Sequence, residues 1–418
     1  MFFQKILKNS NCLMRNHEIR KEELDNLKYY LKRLQRTEAA FLSDFNNYNI
    51  NNKPFIEIIL PKEEHPQRTH CSSLKEYLVQ RNLNFKQVKE ETYKVITGFL
   101  PHLKHFNYCP IIKDLPSLKK EIESIPYVTW FSNELGFSIN RTKTNFYIKH
   151  YTQIDNVLGN LLCPIFYNSL YNLTISKMGK TISRKYHIDE IVGIIIDSLS
   201  KISGVNHFTK DWDEIYSHEL MQKKTDAYQF FGEPCSHGIQ YYSYYHEYSH
   251  YILEHFQSNK DSMQKEIEAD IISLNLLVLS AKMTKDSSVN QIIETWESSY
   301  LIGPLMFHYS KLIEIHNNQK MFENYLFRYA YIEILIKQIM EIRNYKPGLN
   351  LYCQIHNLFL RTMETLGFEG VNLTQIIINK FELLNDYKIK LQLLNNGKLF
   401  EFNHSEEFVS TFHNYIEI

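Results

Sequence analysis

The sequence predicts an α+β fold that is predominantly α, and three observations carry the prediction. Glycine is scarce, 13 in 418 residues, so few positions break a helix or favour left-handed backbone. Apolar residues recur at helical spacing over several long stretches. Strand-like runs are short, and the two clearest flank an Asn-Gly pair, the strongest short-range hairpin signal.

Taken in order, Glu22 to Phe45 is a charged amphipathic stretch with Leu24, Leu27, Leu31 and Leu34 on one side. Lys53-Pro54 opens the apolar run Phe55 to Leu60, a strand stopped by Pro61. Leu74 to Leu100 returns to helical spacing, and Asn145 to Lys149 reads as a second strand. Lys143 to Tyr151 mixes basic and aromatic residues, a pattern that can stack on bases but that a half-buried sheet explains as well. Asp189 to Ile202 predicts a buried helix opened by the acidic pair Asp189-Glu190 and ended before Gly204. Phe230 to Gly238 reads as a loop feeding the next helix, with Cys235 and His237 as conceivable extra ligands beside the centre described below. Helical periods continue from Val289 to about Ile342, and Pro347-Gly348 marks a break. The tail holds helical stretches and then a hairpin, Ile389 to Leu394 and Lys398 to Phe402 around Asn395-Asn396-Gly397. The expected organisation is an accessory region over 1–165, a central domain over 166–345 and a C-terminal helical region with a hairpin over 346–418.

Composition narrows the function classes. Lys plus Arg equals Asp plus Glu at 47 each, which gives no electrostatic case for nucleic acid or an anionic membrane. The six cysteines are dispersed without a C-x-x-C pair, as free thiols in a reducing compartment would be. The amino terminus lacks an uninterrupted apolar core and a small-residue cleavage site, and no window approaches 18 apolar residues. A cytoplasmic protein with no membrane or nucleic-acid partner is the expectation.

The chemistry concentrates in Tyr241 to His255, YYSYYHEYSHYILEH, which contains His246-Glu247-Tyr248-Ser249-His250. On a helix His246 and His250 stand one turn apart and project from one face, close enough to bind one cation. Glu247 is rotated by about 100° from His246, so it stands beside a metal and not on it. Imidazole suits zinc, and a catalytic zinc takes three protein ligands and keeps a position for water. A surface helix with two solvated histidines is the competing reading, and a third ligand decides between them. His255, nine positions past His246, falls near the opposite face of an unbroken helix, as a structural or supporting residue. The tyrosines at 241, 242, 244, 245, 248 and 251 read as packing.

Fifteen residues separate His250 from Glu266, room to end one helix, turn through Gln257 to Ser262 and begin an antiparallel one. Ile267, Ile271, Leu274 and Val278 give the second helix its period. Glu266 and Asp270 share one face of it. Glu266 can complete a His2Glu site, and Asp270 can accept a hydrogen bond from the far nitrogen of a ligating histidine. A solvated acidic helix start is the alternative, and Glu268, on another face, fits that description better.

H-E-x-x-H followed by E-x-x-A-D resembles the gluzincin metallopeptidases, and the run through His255 is similar to cytoplasmic members of the ImmA/IrrE group and to Lit-type phage-exclusion peptidases. The similarity spans about Tyr241 to Leu277. It implies a zincin-like core built from an active-site helix and a glutamate helix. It implies Zn2+ held by His246, His250 and Glu266, Glu247 as general base, and Asp270 supporting a ligand from behind. A metzincin would place Gly at 253 and His at 256, where this chain has Leu253 and Phe256. An aspzincin would take an aspartate as third ligand, for which Asp270 is the candidate.

The function so implied is a zinc-dependent intracellular endopeptidase. Glu247 assists attack of a zinc-bound water on a peptide bond and passes the proton to the leaving amine. One or few protein substrates are expected, in stress or phage defence, recognised outside 166–345. His308, Tyr309, His316 and Arg328 are the candidate donors to the developing oxyanion, among which sequence does not choose. The alternative is a catalytically silent interaction or regulatory protein that retains a structural metal site. A zinc hydrolase acting on a non-peptide amide would share the same residues.

Overall fold

A computed structural model describes residues 55–57, 90–110, 112, 114–125, 127–130, 137–141, 146–151, 188–189, 191–193, 195–196, 232–282, 290–368 and 370–402. The amphipathic stretch expected over 22–45 lies outside the described residues. The chain divides into two compact units, Met1–Lys94 with Ile112–Ile154 and Lys201–Gln222, and Val95–Ile111 with Asp155–Ser200 and Lys223–Ile418. The described residues are mostly helical with a few strands, as an α+β, predominantly α chain should be.

The first unit holds a four-stranded sheet of β1 (Phe55–Glu57), β2 (Tyr127–Trp130), β3 (Phe137–Arg141) and β4 (Phe146–Tyr151). Strand order is β1-β2-β4-β3, with β1, β2 and β4 parallel and β3 antiparallel to β4. Both expected strands fall on this sheet. In the β3–β4 register Ile139 faces Ile148, and Ile148 is fully buried, which favours the sheet reading of the Lys143 to Tyr151 mixture over a base-stacking one. Helix α1 (Leu115–Ser124) precedes β2; Asp114 caps it by accepting from the Ser117 amide at 3.2 Å.

The second unit is helical. Its elements are α2 (Glu233–Ile252), α3 (Ser262–Lys282), α4 (Asn290–Ile315), α5 (Gln319–Ile342), α6 (Lys346–Thr365) and α7 (Gly370–Asp386), followed by the hairpin β5 (Leu391–Asn395) and β6 (Lys398–Phe402). Residues 90–99 are helical and run into a 3-10 turn, Leu100–His105, which belongs to this unit from Val95 on. Of the expected 189–202 helix, residues 189, 191–193 and 195–196 are described and are helical, with Ile191, Val192 and Ile195 buried. Among the described residues no helix is long and apolar enough to cross a membrane.

Two local devices place the helices that matter. Helix α2 starts earlier than the sequence suggests. Pro234 sits in its first turn, where a missing N–H costs nothing, so Phe230 to Gly238 is not a loop throughout but becomes helix at Glu233. Cys235 is thereby buried in the core and His237 exposed, and among the described residues neither belongs to a converging group of metal-binding side chains. Helix α2 ends in a Schellman motif. Glu254 adopts left-handed φ of 55°, its amide donates to the Tyr251 carbonyl at 3.1 Å, and the His255 amide donates to the His250 carbonyl at 3.0 Å. Asp261 then caps α3, accepting from the Gln264 amide at 2.9 Å.

Helix α3 is the central element. Ile267, Ile271, Leu274 and Val278 are all fully buried, and so are Leu276 and Leu277 on other faces. Asn275 of α3 donates to the Gln392 carbonyl at 2.9 Å and accepts from the Leu394 amide at 2.6 Å, which pins β5 along it. The hairpin turns at Asn396 and Gly397, with φ of 53° and 75°, the conformations that Asn-Gly favours. Helices α2 and α4 cross at glycines. A Cβ on Gly238 would stand 1.9 Å from the Tyr300 carbonyl oxygen, and one on Gly303 would stand 2.5 Å from the Ile239 nitrogen.

Candidate metal centre

His246 and His250 leave the same face of α2 one turn apart, and Glu266 approaches from the first turns of α3. The imidazole Nε2 atoms lie 3.0 Å apart. Glu266 Oε2 is 3.4 Å from Nε2 of His246, and Oε1 is 3.5 Å from Nε2 of His250. One donor atom from each of the three lies within 4.8 Å of the other two. The side chains of His246 and His250 are nearly buried, at 9% and 12% exposure, while Glu266 keeps 36%, so the cluster opens to solvent on the carboxylate side. Glu247 is buried on the same helix, at 6% exposure.

The backs of both rings are occupied, which turns their Nε2 atoms inward. His246 Nδ1 lies 2.8 Å from Asp270 Oδ1, an ion-pair contact. Asp270 is fully buried and accepts hydrogen bonds from four other atoms. Oδ1 also takes the Tyr242 hydroxyl at 2.7 Å and Arg328 Nη2 at 2.8 Å. Oδ2 takes Arg328 Nε at 2.7 Å and the Tyr331 hydroxyl. The third guanidinium nitrogen, Nη1, reaches Glu266 Oε2 at 2.8 Å. Arg328 therefore pairs with both carboxylates from α5, and Tyr325 lies under its guanidinium, 5.0 Å from carbon to ring centroid. The aspartate-as-ligand alternative fails on this geometry, since Asp270 sits behind His246 and outside the converging donors.

Electrostatics follow from this packing. Burial alone would raise Asp270, but the charge of Arg328 and the His246 contact outweigh it and hold the carboxyl well below its ordinary range. Burial resists a charge on His246 as well, yet Asp270 beside one nitrogen and Glu266 beside the other push its pKa up to about 10. His250 goes the other way, down to about 3, through burial and then the neighbouring His246 charge. Burial opposes a charge on Glu266, but Arg328 and then His246 lower it.

The four oxyanion candidates separate. Arg328 is committed to the two carboxylates. His308 is fully buried with its Nε2 at 3.1 Å from the Tyr242 hydroxyl. Tyr242 gives its one proton to Asp270 and so accepts from His308. Tyr309 pairs with Thr362 at 2.7 Å, and His316 Nδ1 with the Ile313 carbonyl at 2.7 Å. Sequence reasoning missed Arg328 as the partner of Asp270 and Glu266, because it lies a full helix pair downstream and carries no spacing signal. It also misplaced Glu268. Its carboxylate is fully buried, 3.0 Å from His255 Nε2 and 2.6 Å from Lys260 Nζ, with Gln264 Nε2 at 2.9 Å. The solvated acidic helix start is therefore not what α3 presents. No family model, curated protein or solved structure matches the chain.

Proposed function

We propose that the chain is a zinc-dependent peptidase of gluzincin type, with a zincin-like core formed by α2 and α3, acting in a reducing compartment on one or few protein substrates. The observation that carries the reading is the convergence of His246, His250 and Glu266 with both imidazoles backed so that their Nε2 lone pairs face one point. Two imidazoles and a carboxylate fit zinc, which supplies a Lewis acid and an activated water when bound.

The remaining roles belong to the chain. Asp270 fixes the tautomer and orientation of His246, and Arg328 holds Asp270 and Glu266 in place without entering the donor set. Glu247, one residue from His246 on the helix, is the proton acceptor and donor for the hydrolytic step. The 36% exposure of Glu266 marks the side from which a substrate carbonyl can approach. Cys109, Cys235 and Cys353 are free thiols, in keeping with a reducing compartment.

Metal content and Glu247→Gln test the reading together. Mass spectrometry of the purified chain should find about one zinc per molecule, lost in His250→Ala. Glu247→Gln should retain zinc and cost roughly 10²–10⁴-fold in cleavage of a peptide library. Retention of full activity by Glu247→Gln would leave the silent, metal-stabilised scaffold as the better description.

A further inference from the structure

His250, unlike His246, has no carboxylate directly behind it. Its Nδ1 instead lies 2.8 Å from Nδ1 of His255, and the two rings meet edge to face with centroids 5.0 Å apart. His255 is 3% exposed, and its other nitrogen lies 3.0 Å from Glu268 Oε2. The Schellman turn at Glu254 is what makes this contact possible. On an unbroken helix residue 255 would point away from residue 250; the left-handed residue folds it back over the ring it follows.

Proton placement along this row is fixed by its end. Glu268 is fully buried, beside the Lys260 ammonium and the Gln264 amide, so it accepts and cannot serve as a donor while ionised. His255 therefore donates from Nε2 and presents a bare Nδ1. That nitrogen can only accept, which requires the proton of His250 to sit on Nδ1 and leaves its Nε2 lone pair directed at Glu266 and His246.

We propose that His255 and Glu268 form a positioning pair that locks the tautomer and ring angle of His250 for metal binding, a role separate from that of Asp270 on His246. The inference rests on the zinc reading above. The two ligands are thus supported unequally: His246 by a carboxylate in direct contact, His250 by a neutral imidazole that passes the constraint on to a carboxylate. Neither residue touches the donor point, so neither is a catalytic residue.

The test uses the full-length protein and Zn2+ alone. Ring nitrogen chemical shifts of histidine in the metal-free wild type should show His250 with its proton on Nδ1. The zinc dissociation constant, from competition with a chromophoric chelator, should rise about 10–100-fold in His255→Phe, which keeps the ring volume and removes both polar atoms. His255→Gln can accept on one side and donate on the other, so it should recover most of that affinity; a merely space-filling role would not distinguish Gln from Phe in this direction. His250 protonated on Nε2 in the wild type overturns the proposal without any variant. Unchanged zinc affinity in His255→Phe overturns it while leaving the metal centre standing. Absence of zinc binding by the wild type overturns the metal reading and this inference with it.

Discussion

Gly238 and Gly303 bring α2 and α4 into backbone contact: a Cβ added at Gly303 would stand 2.6 Å from the Gly238 carbonyl carbon and 2.9 Å from the Cys235 carbonyl oxygen. Neither obstacle is a movable side chain, so the helices themselves must separate to admit a methyl group. Gly303→Ala is expected to cost about 3 kcal/mol, at the upper end of overpacking effects, and to weaken zinc binding by shifting the helix that carries both histidines. Urea unfolding and zinc titration of the same variant check both halves; a loss below the usual range would mean that α4 slides without strain.

The turn after α2 makes the opposite prediction. Glu254 is exposed and holds φ of 55°, a conformation costing an ordinary residue about 1–2 kcal/mol. Glu254→Gly should therefore raise stability by roughly 1 kcal/mol with unchanged zinc affinity. A thermal melt of metal-free protein reads it, and a lower melting temperature would show that the glutamate contributes something besides its backbone angle.

Arg328 answers two carboxylates, the fully buried Asp270 and the part-exposed Glu266. Removing it as Arg328→Met takes the guanidinium from the fully buried Asp270, an expected loss of about 3–5 kcal/mol. Arg328→Lys restores one positive charge but not the fork that serves three oxygens, so it should fall between the wild type and Arg328→Met in stability and in zinc affinity. Equal stability for Lys and Arg at this position would show that charge alone suffices.

His308 gives a pH dependence. Burial, then the Arg328 charge, lower its pKa from 6.5 to about 3 in the folded chain. The rings of Phe307, Tyr242 and Tyr325 pack around it, and Nε2 is held by Tyr242. The unfolded chain takes up the proton first, so the stability contributed is present above about pH 6.5 and is lost as pH falls from there toward 3, at up to about 1.4 kcal/mol per pH unit. His308→Gln removes that titration. Chemical unfolding of metal-free protein at pH 7 and pH 4.5 should show a smaller acid loss in the variant than in the wild type; parallel losses would contradict the buried neutral state.

Much of the second unit was legible because its signals are local. The period of Ile267, Ile271, Leu274 and Val278, the turn before Ser262 and the Asn-Gly hairpin each sit within one element. The three converging donors were legible for the same reason, since one helix supplies two of them and the turn length bounds where the third can come from. What stayed hidden depends on tertiary contact. Arg328 enters from a helix far downstream, and no motif ties it to Asp270. Glu268 looks solvated by its angular position, yet His255, Lys260 and Gln264 bury and balance it. His255 was placed on the wrong face because a left-handed glutamate, which composition does not announce, ends the helix in time to fold it back. Helix α2 begins before its period does, at a proline that reads as a breaker until it is seen in a first turn.

The fork of Arg328 onto Asp270 spans 58 positions of the chain. During synthesis both histidines, Glu266 and Asp270 are made well before the cation that balances them. A chain truncated before α5 keeps all four of those side chains but lacks the guanidinium that pairs with both carboxylates. On the zinc reading proposed above, a fragment ending before residue 328 should therefore bind zinc weakly and cleave nothing, so that the centre comes into being only with the helix that carries Arg328.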